Sequence, residues 1–205
     1  IGFKSFYDNT TGAYNTALGT YALEDNTTAN YNVAVGYKAS QLNTTGTTNT
    51  AVGSLALYSN TTADYNVAIG REALDASGSG GYNVAIGGRH ALGAVSSGAR
   101  NIGIGYQAAD GFDTESDNIA IGYDALGGSV AGGEKNVVIG NYAGDGVTSA
   151  DNTVMIGHEA GSEITTGSGN ITIGYQAGDN ITTGSNNLVI GAADVSSATG
   201  DSQLS

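Results

Sequence analysis

The sequence predicts an all-β protein: a parallel β-roll or β-solenoid built from 17-residue coils. Three observations carry that expectation. Of 205 residues, 34 are glycine and none is proline, cysteine or tryptophan, a composition that serves helices poorly and lacks the proline of a collagen. A pattern N-x-A-x-G recurs along the whole chain, with anchor glycines at Gly2, Gly19, Gly36, Gly53, Gly70, Gly87, Gly105, Gly122, Gly140, Gly157, Gly174 and Gly191. Nine of the eleven spacings between them are 17 residues and two are 18, short for a helical hairpin but suited to a coil of two short strands and two turns. Strands stacked about 4.8 Å apart would carry such coils into one rod of roughly 50 Å, a single repeat domain over residues 1–205.

Positions are counted within each unit from its asparagine. Position 1 is asparagine in ten of eleven complete units, Asn15, Asn32, Asn49, Asn66, Asn83, Asn101, Asn118, Asn136, Asn170 and Asn187, with Thr153 in the remaining one. An amide repeated at the start of a strand can bond turn backbone and its own copies in adjacent coils, so a structural ladder is expected. Positions 2 and 4 are apolar in most units and position 3 is usually small, as in Val67-Ala68-Ile69 and Ile119-Ala120-Ile121. No N-x-x-x-G segment contains a charged residue, so the strand is expected to be buried on both faces, one lining the interior and the other packed against further subunits.

Position 5 is the anchor glycine and position 8 is alanine. Positions 9 and 12 exchange volume: Leu23 with Asn26, Leu57 with Asn60 and Leu74 with Ser77 give way, through Ala109 with Phe112, to Gly144 with Val147, Gly161 with Ile164 and Gly178 with Ile181. Close-packed interiors conserve volume, so the two positions are expected to share one core space with Phe112 buried. The two extra residues are expected in loops, the first at Gly88 and the second within Gly127 to Gly133. Thr-Thr pairs such as Thr10/Thr11, Thr61/Thr62 and Thr182/Thr183 read as turn hydroxyls rather than a flat outward array.

Composition narrows function. A net charge of −13 repels nucleic acid, the absence of cysteine removes thiol chemistry and zinc-thiolate sites, and no apolar run approaches a membrane span. Acids such as Glu24, Asp25, Asp64, Glu72, Asp110, Glu134 and Asp179 fall in turns and are expected to be solvated. Asp113, Glu115, Asp117 and Asp124 loosely echo a calcium loop, but Asn118 stands where its glycine belongs. His90 and His158 are isolated, so no catalytic residue, cofactor or metal is predicted and the chain is read as not an enzyme. Tyr37, Tyr106, Tyr123 and Tyr175 at position 6 and Tyr14, Tyr31, Tyr65 and Tyr82 at position 17 form exposed columns, which either shield strand edges or touch a glycan or protein.

Segments such as Asn66-Val67-Ala68-Ile69-Gly70 resemble the head repeats of trimeric autotransporter adhesins, and the longer unit at Asn15 to Ala29 and Asn49 to Ala63 is similar to repeats of phage tail fibres and related bacterial fibres. The resemblance spans nearly the whole chain. It implies a parallel homotrimer of narrow β-rolls, left-handed in the adhesin heads, displaying a receptor-binding surface on a virion tail fibre or a bacterial surface. The 17-residue period is longer than that of adhesin heads, and Ile1-Gly2 begins mid-unit, as expected of a segment cut from a longer fibre. Two other readings stay open: a tailspike-like polysaccharide depolymerase and an ice-binding solenoid.

Overall fold

The computed structural model describes residues 1–128 and 133–205. Eleven three-residue strands, from β1 (Thr16–Leu18) to β11 (Leu188–Ile190), form one parallel sheet in strict sequence order. Each strand pairs with the next at equivalent repeat positions, Thr16 with Val33 and Ala17 with Ala34, and so on to Thr172 with Val189. The 18-residue coils keep this register, Ala85 pairing with Gly103 and Ala120 with Val138. The first extra residue sits at Gly88 beside the exposed Arg89; the second, expected within 127–133, falls largely outside the described residues.

Each coil holds one regular strand instead of the two expected. The reason is conformational: positions 7, 9 and 17 are left-handed in coil after coil, for example Glu72 (φ 58°), Leu74 (φ 51°) and Tyr82 (φ 62°). Left-handed residues at alternate positions interrupt an extended chain and replace the second strand with a run of turns. Their backbone groups still pair between coils. The amide of Glu72 donates backward to Ser54 at 3.0 Å, while that of Leu74 donates forward to Ala91 at 3.0 Å. Glycine is needed at position 5, where φ is +142° at Gly122 and a Cβ would collide with the carbonyl of Gly140 in the next coil.

The strand faces are now assigned. Position 3 points inward and is fully buried at Ala34, Ala51, Ala68 and Ala85, whereas positions 2 and 4 point outward and keep partial exposure. In the single chain the expected double burial therefore holds for one face only. Position 8 alanines and position 9 leucines complete a thin core, with Phe112 fully buried as its largest side chain.

The exchange between positions 9 and 12 extends to position 3. Around a glycine at position 9, position 3 enlarges from alanine to Val138, Met155 or Thr172 in the same coil and to Val189 in the coil after Gly178. A Cβ on Gly144 would press on the Met155 sulfur at 2.8 Å, and one on Gly178 on the Thr172 methyl at 2.8 Å. Three columns thus divide one interior volume. Ser40 breaks the pattern: it stands at position 9 between Leu23 and Leu57, is buried, and its hydroxyl has no hydrogen-bond partner.

Candidate functional site

The asparagine column is a hydrogen-bonded ladder. Asn66 Oδ1 accepts the backbone N–H of Asn83 at 2.9 Å, and Asn66 Nδ2 donates to the carbonyl of Gly80 in its own coil at 2.9 Å. The same pair of bonds recurs at Asn32, with Asn49 and Gly46, and at Asn83, with Asn101 and Gly98. Asn15, Asn49, Asn101, Asn118 and Asn136 each join the next coil in this way. Where Thr153 interrupts the column, its hydroxyl turns back to Asn136 Oδ1 at 2.7 Å. Asn170 Nδ2 then serves two carbonyls, Gly167 at 2.9 Å and Gly184 at 2.8 Å, and Asn170 Oδ1 accepts from Asn187.

Two further ladders escaped the sequence reading. Position 12 amides link early coils, Asn43 donating to Asn26 at 3.2 Å and Asn60 to Asn43 at 2.8 Å, while buried apolar side chains take that position later. At position 16, side-chain oxygens accept the backbone N–H of the preceding coil, as Asp64 does from Thr47 at 2.6 Å and Asp151 from Glu134 at 2.7 Å. The recurrence of Asn, Asp or Ser at position 16 carries this signal, although the same residue types are equally at home in a solvated turn. Of the threonine pairs, the first hydroxyl bonds the next coil, Thr10 to the Thr27 carbonyl at 2.9 Å and Thr165 to Thr182 at 3.0 Å, and the second is exposed at Thr11, Thr28, Thr45 and Thr62.

The acids are not uniformly solvated. Glu24 is buried between Lys4, at 3.3 Å, and Gln41. Glu115 is 5% exposed and folds its carboxylate onto the backbone N–H groups of Asp113 and Thr114 at 2.7 and 3.0 Å. Asp117 is gripped by Arg100 at 2.6 and 2.9 Å, which holds its carboxyl below the ordinary value, and Asp113 accepts from the Ser96 hydroxyl. Asp113, Glu115 and Asp117, with Asp124 at position 7, form no metal cluster: among the described residues no group of three or more histidine, cysteine or acidic side chains is placed to hold a metal.

The tyrosines separate into distinct clusters. Tyr14 stacks on Tyr31 at 4.9 Å and Tyr65 on Tyr82 at 4.9 Å, so their faces cover each other. Tyr37 belongs to the N-terminal end, where the Lys38 ammonium lies 5.5–5.9 Å from the centroids of Tyr21, Tyr37 and Tyr58. Tyr106, Tyr123 and Tyr175 join one run along later coils: Tyr106 stacks on Tyr123 at 5.1 Å, Tyr123 meets Tyr142 at 5.3 Å, Tyr142 meets His158 at 6.1 Å, and His158 stacks on Tyr175 at 5.6 Å. Tyr142, at position 7, was missed because it lies one residue off the tyrosine column. Its ring is turned 58° and 70° from its two neighbours, so neither covers it with a parallel face.

Beside Tyr142 lies a cleft of about 360 Å³ lined by Asp145, Glu159, Glu163, Gln176 and Asp179. A second of about 270 Å³ continues it along the rod, sharing Gln176 and Asp179 and reaching Tyr175 and Asp194. Gln176 Nε2 fixes the Glu159 carboxylate at 2.6 Å. Burial raises the Asp145 carboxyl above its ordinary value, helped by Asp124; burial raises Asp179 also, helped by its contact with Asp194. No lysine or arginine lines either cleft. The charge of the chain is lopsided to match: residues 1–100 sum to −1 and residues 101–205 to −12.

No protein family, curated protein or solved structure matches the chain. Among the described residues no helix is long and apolar enough to cross a membrane.

Proposed function

We propose that this chain is a non-enzymatic fibre module, a parallel homotrimeric rod that holds or forms a receptor-binding surface on a phage tail fibre or a bacterial cell surface. One observation carries the reading. The outward face of the sheet carries an unbroken apolar column at position 4, eleven strands long, running from Leu18, 47% exposed, through Ile69, Ile86 and Ile139 to Ile190, 60% exposed, beside a position 2 column that is apolar except at Thr16 and Thr50. Apolar patches of such extent mark contact surfaces. A partner that covers every coil equally must share the coil period, which further copies of the same chain in the same register do. Many weak contacts repeated along three chains would add up to avidity without a deep pocket.

Light scattering at several concentrations tests this directly. A mass near three chains is expected, and Ile69→Glu combined with Ile121→Glu should reduce it to one chain with the β-sheet signal retained, because both side chains point outward. Ala68→Glu, one residue away, should unfold its coils instead, because position 3 is buried. A wild-type monomer at all concentrations refutes the proposal.

The depolymerase alternative has one supporting observation, the raised carboxyls in the clefts over coils 8 to 11. Glycoside hydrolysis places its two carboxyls roughly 5 to 9.5 Å apart, whereas Asp179 and Asp194 touch through a hydrogen bond. Incubation with capsular polysaccharide followed by sizing decides the matter: shortened chains favour the enzyme, unchanged chains the fibre.

A further inference from the structure

We infer that the paired clefts beside Tyr142 and Tyr175 form a binding groove for a linear glycan of amino sugars, laid along the rod axis. The inference deepens the reading of the chain as a display rod, since it names the chemistry displayed. Three features lead to it.

The first is shape. Two shallow clefts of about 360 and 270 Å³ share Gln176 and Asp179 and run on from one another, which suits an extended polymer better than a compact ligand. The second is the lining. Tyr142 has ring faces that neither ladder neighbour covers with a parallel ring, while Tyr106, Tyr123 and Tyr175 each spend a face on a stacking partner. A sugar ring offers what that lining lacks, a flat C–H face for the tyrosine and edge donors for the acceptors Asp145, Glu159 and Asp179. The third is charge. The lining holds several carboxylates and no lysine or arginine, so uronate, sulfate or sialic acid groups would be repelled, whereas a protonated amine on each sugar would be held by charge-assisted hydrogen bonds.

The repeat distance separates a glycan from a basic peptide. Acceptors recur once per coil, about 4.8 Å apart, and in a β-1,4-linked chain, where alternate sugars are turned over, the amines return to the same face every second sugar, close to the spacing of two coils. An extended peptide presents side chains on one face only every second residue, at about 6.6 Å, and falls out of step with the coils.

Isothermal titration at pH 6 with the fully de-N-acetylated glucosamine hexamer tests the groove in the intact chain. Binding is expected, with at least a tenfold loss for the N-acetylated hexamer, for Tyr142→Ala and for Glu159→Gln, and no change for Thr62→Ala on the opposite half of the rod. Circular dichroism of each variant verifies that the rod is folded, and the Glu159→Gln change keeps shape while removing charge. Three results overturn the proposal: no binding, binding indifferent to Tyr142→Ala, or a lysine hexamer binding as tightly as the amino sugar. None of these touches the mass measurement that tests trimeric assembly, so the two readings fail separately.

Discussion

Removing one carboxamide from the asparagine ladder tests whether the column, and not the apolar strip, fixes the spacing of the coils. In Asn66→Ala the backbone N–H of Asn83 loses its acceptor at 2.9 Å, and the carbonyl of Gly80 loses one donor at 2.9 Å but keeps the Ser77 hydroxyl at 3.3 Å. Asn83 and Gly80 are both buried, so water cannot readily replace the lost partner. The one buried N–H left unpaired costs about 1–3 kcal/mol. A rod of stacked coils does not unfold as one unit, so a global melt would dilute a local loss. Hydrogen exchange reads the effect in place: amides of the coils flanking Asn83 should exchange on the order of 5-fold to 100-fold faster, by the factor of ten per 1.4 kcal/mol. Thr62→Ala, an exposed hydroxyl one coil away, is the control, expected to change stability by less than about 0.5 kcal/mol. If Asn66→Ala loses no more than that control, the ladder is a by-product of stacking and the argument from buried amides is wrong.

Other outcomes follow from the same interior. Ser40→Leu should stabilise the N-terminal coils by about 1–3 kcal/mol in urea unfolding, since leucine already occupies this left-handed site at Leu23 and Leu57 and the substitution removes a buried, unpartnered hydroxyl. Gly122→Ala should abolish folding of the surrounding coils, seen as lost sheet signal, because its φ of +142° is forbidden to alanine and its Cβ meets the Gly140 carbonyl. The pH dependence should run opposite to ordinary acid denaturation. Asp110, Asp145 and Asp179 have carboxyls raised by burial, so the fold binds protons more readily than the unfolded chain. Their contribution is lost as pH rises through the raised values and regained as pH falls towards the unfolded value near 3.9. Exchange protection in coils 6 to 11 should therefore increase between pH 7 and about pH 4, while Asp117, lowered by Arg100, works against the trend only at the acid end. Unchanged or falling protection across that window removes the assignment.

The repeat made much of this architecture legible from residues alone. Parallel coils, the register and the buried Phe112 follow from the spacing of one five-residue motif, because every strand position is reported eleven times and chance patterns average out. What stayed hidden is instructive. The second strand failed because left-handed backbone at positions 7 and 9 carries no strong residue signal here; leucine, glutamate, lysine and tyrosine all stand there. The ladder at position 12 stays hidden because that column shows only the volume it shares with position 9, and the one at position 16 because asparagine, aspartate and serine serve equally in turns and in solvent. The groove was invisible for a different reason. Tyr142, Glu159 and Gln176 share position 7 in three successive coils, yet no two are the same residue type, so a reading based on recurrence passes over them.

The three-column division of the interior bears on how such a chain can change over time. Within the early half, a coil carrying alanine, leucine and asparagine at positions 3, 9 and 12 can be duplicated, deleted or shuffled without disturbing its neighbours. The same freedom exists among the late coils with a larger position 3, glycine at 9 and an aliphatic side chain at 12, as Val138, Gly144 and Val147 illustrate. The seam itself lies where Leu126, at position 9 of the seventh coil, meets Val138, at position 3 of the eighth, and a Cβ on Gly144 would meet both at 3.5 and 3.4 Å. The coil of Gly103, Ala109 and Phe112, small at two positions and large at the third, stands one coil before it. Length variation by whole coils is open on either side of the Leu126 and Val138 contact, the one junction at which both packing schemes have to fit each other.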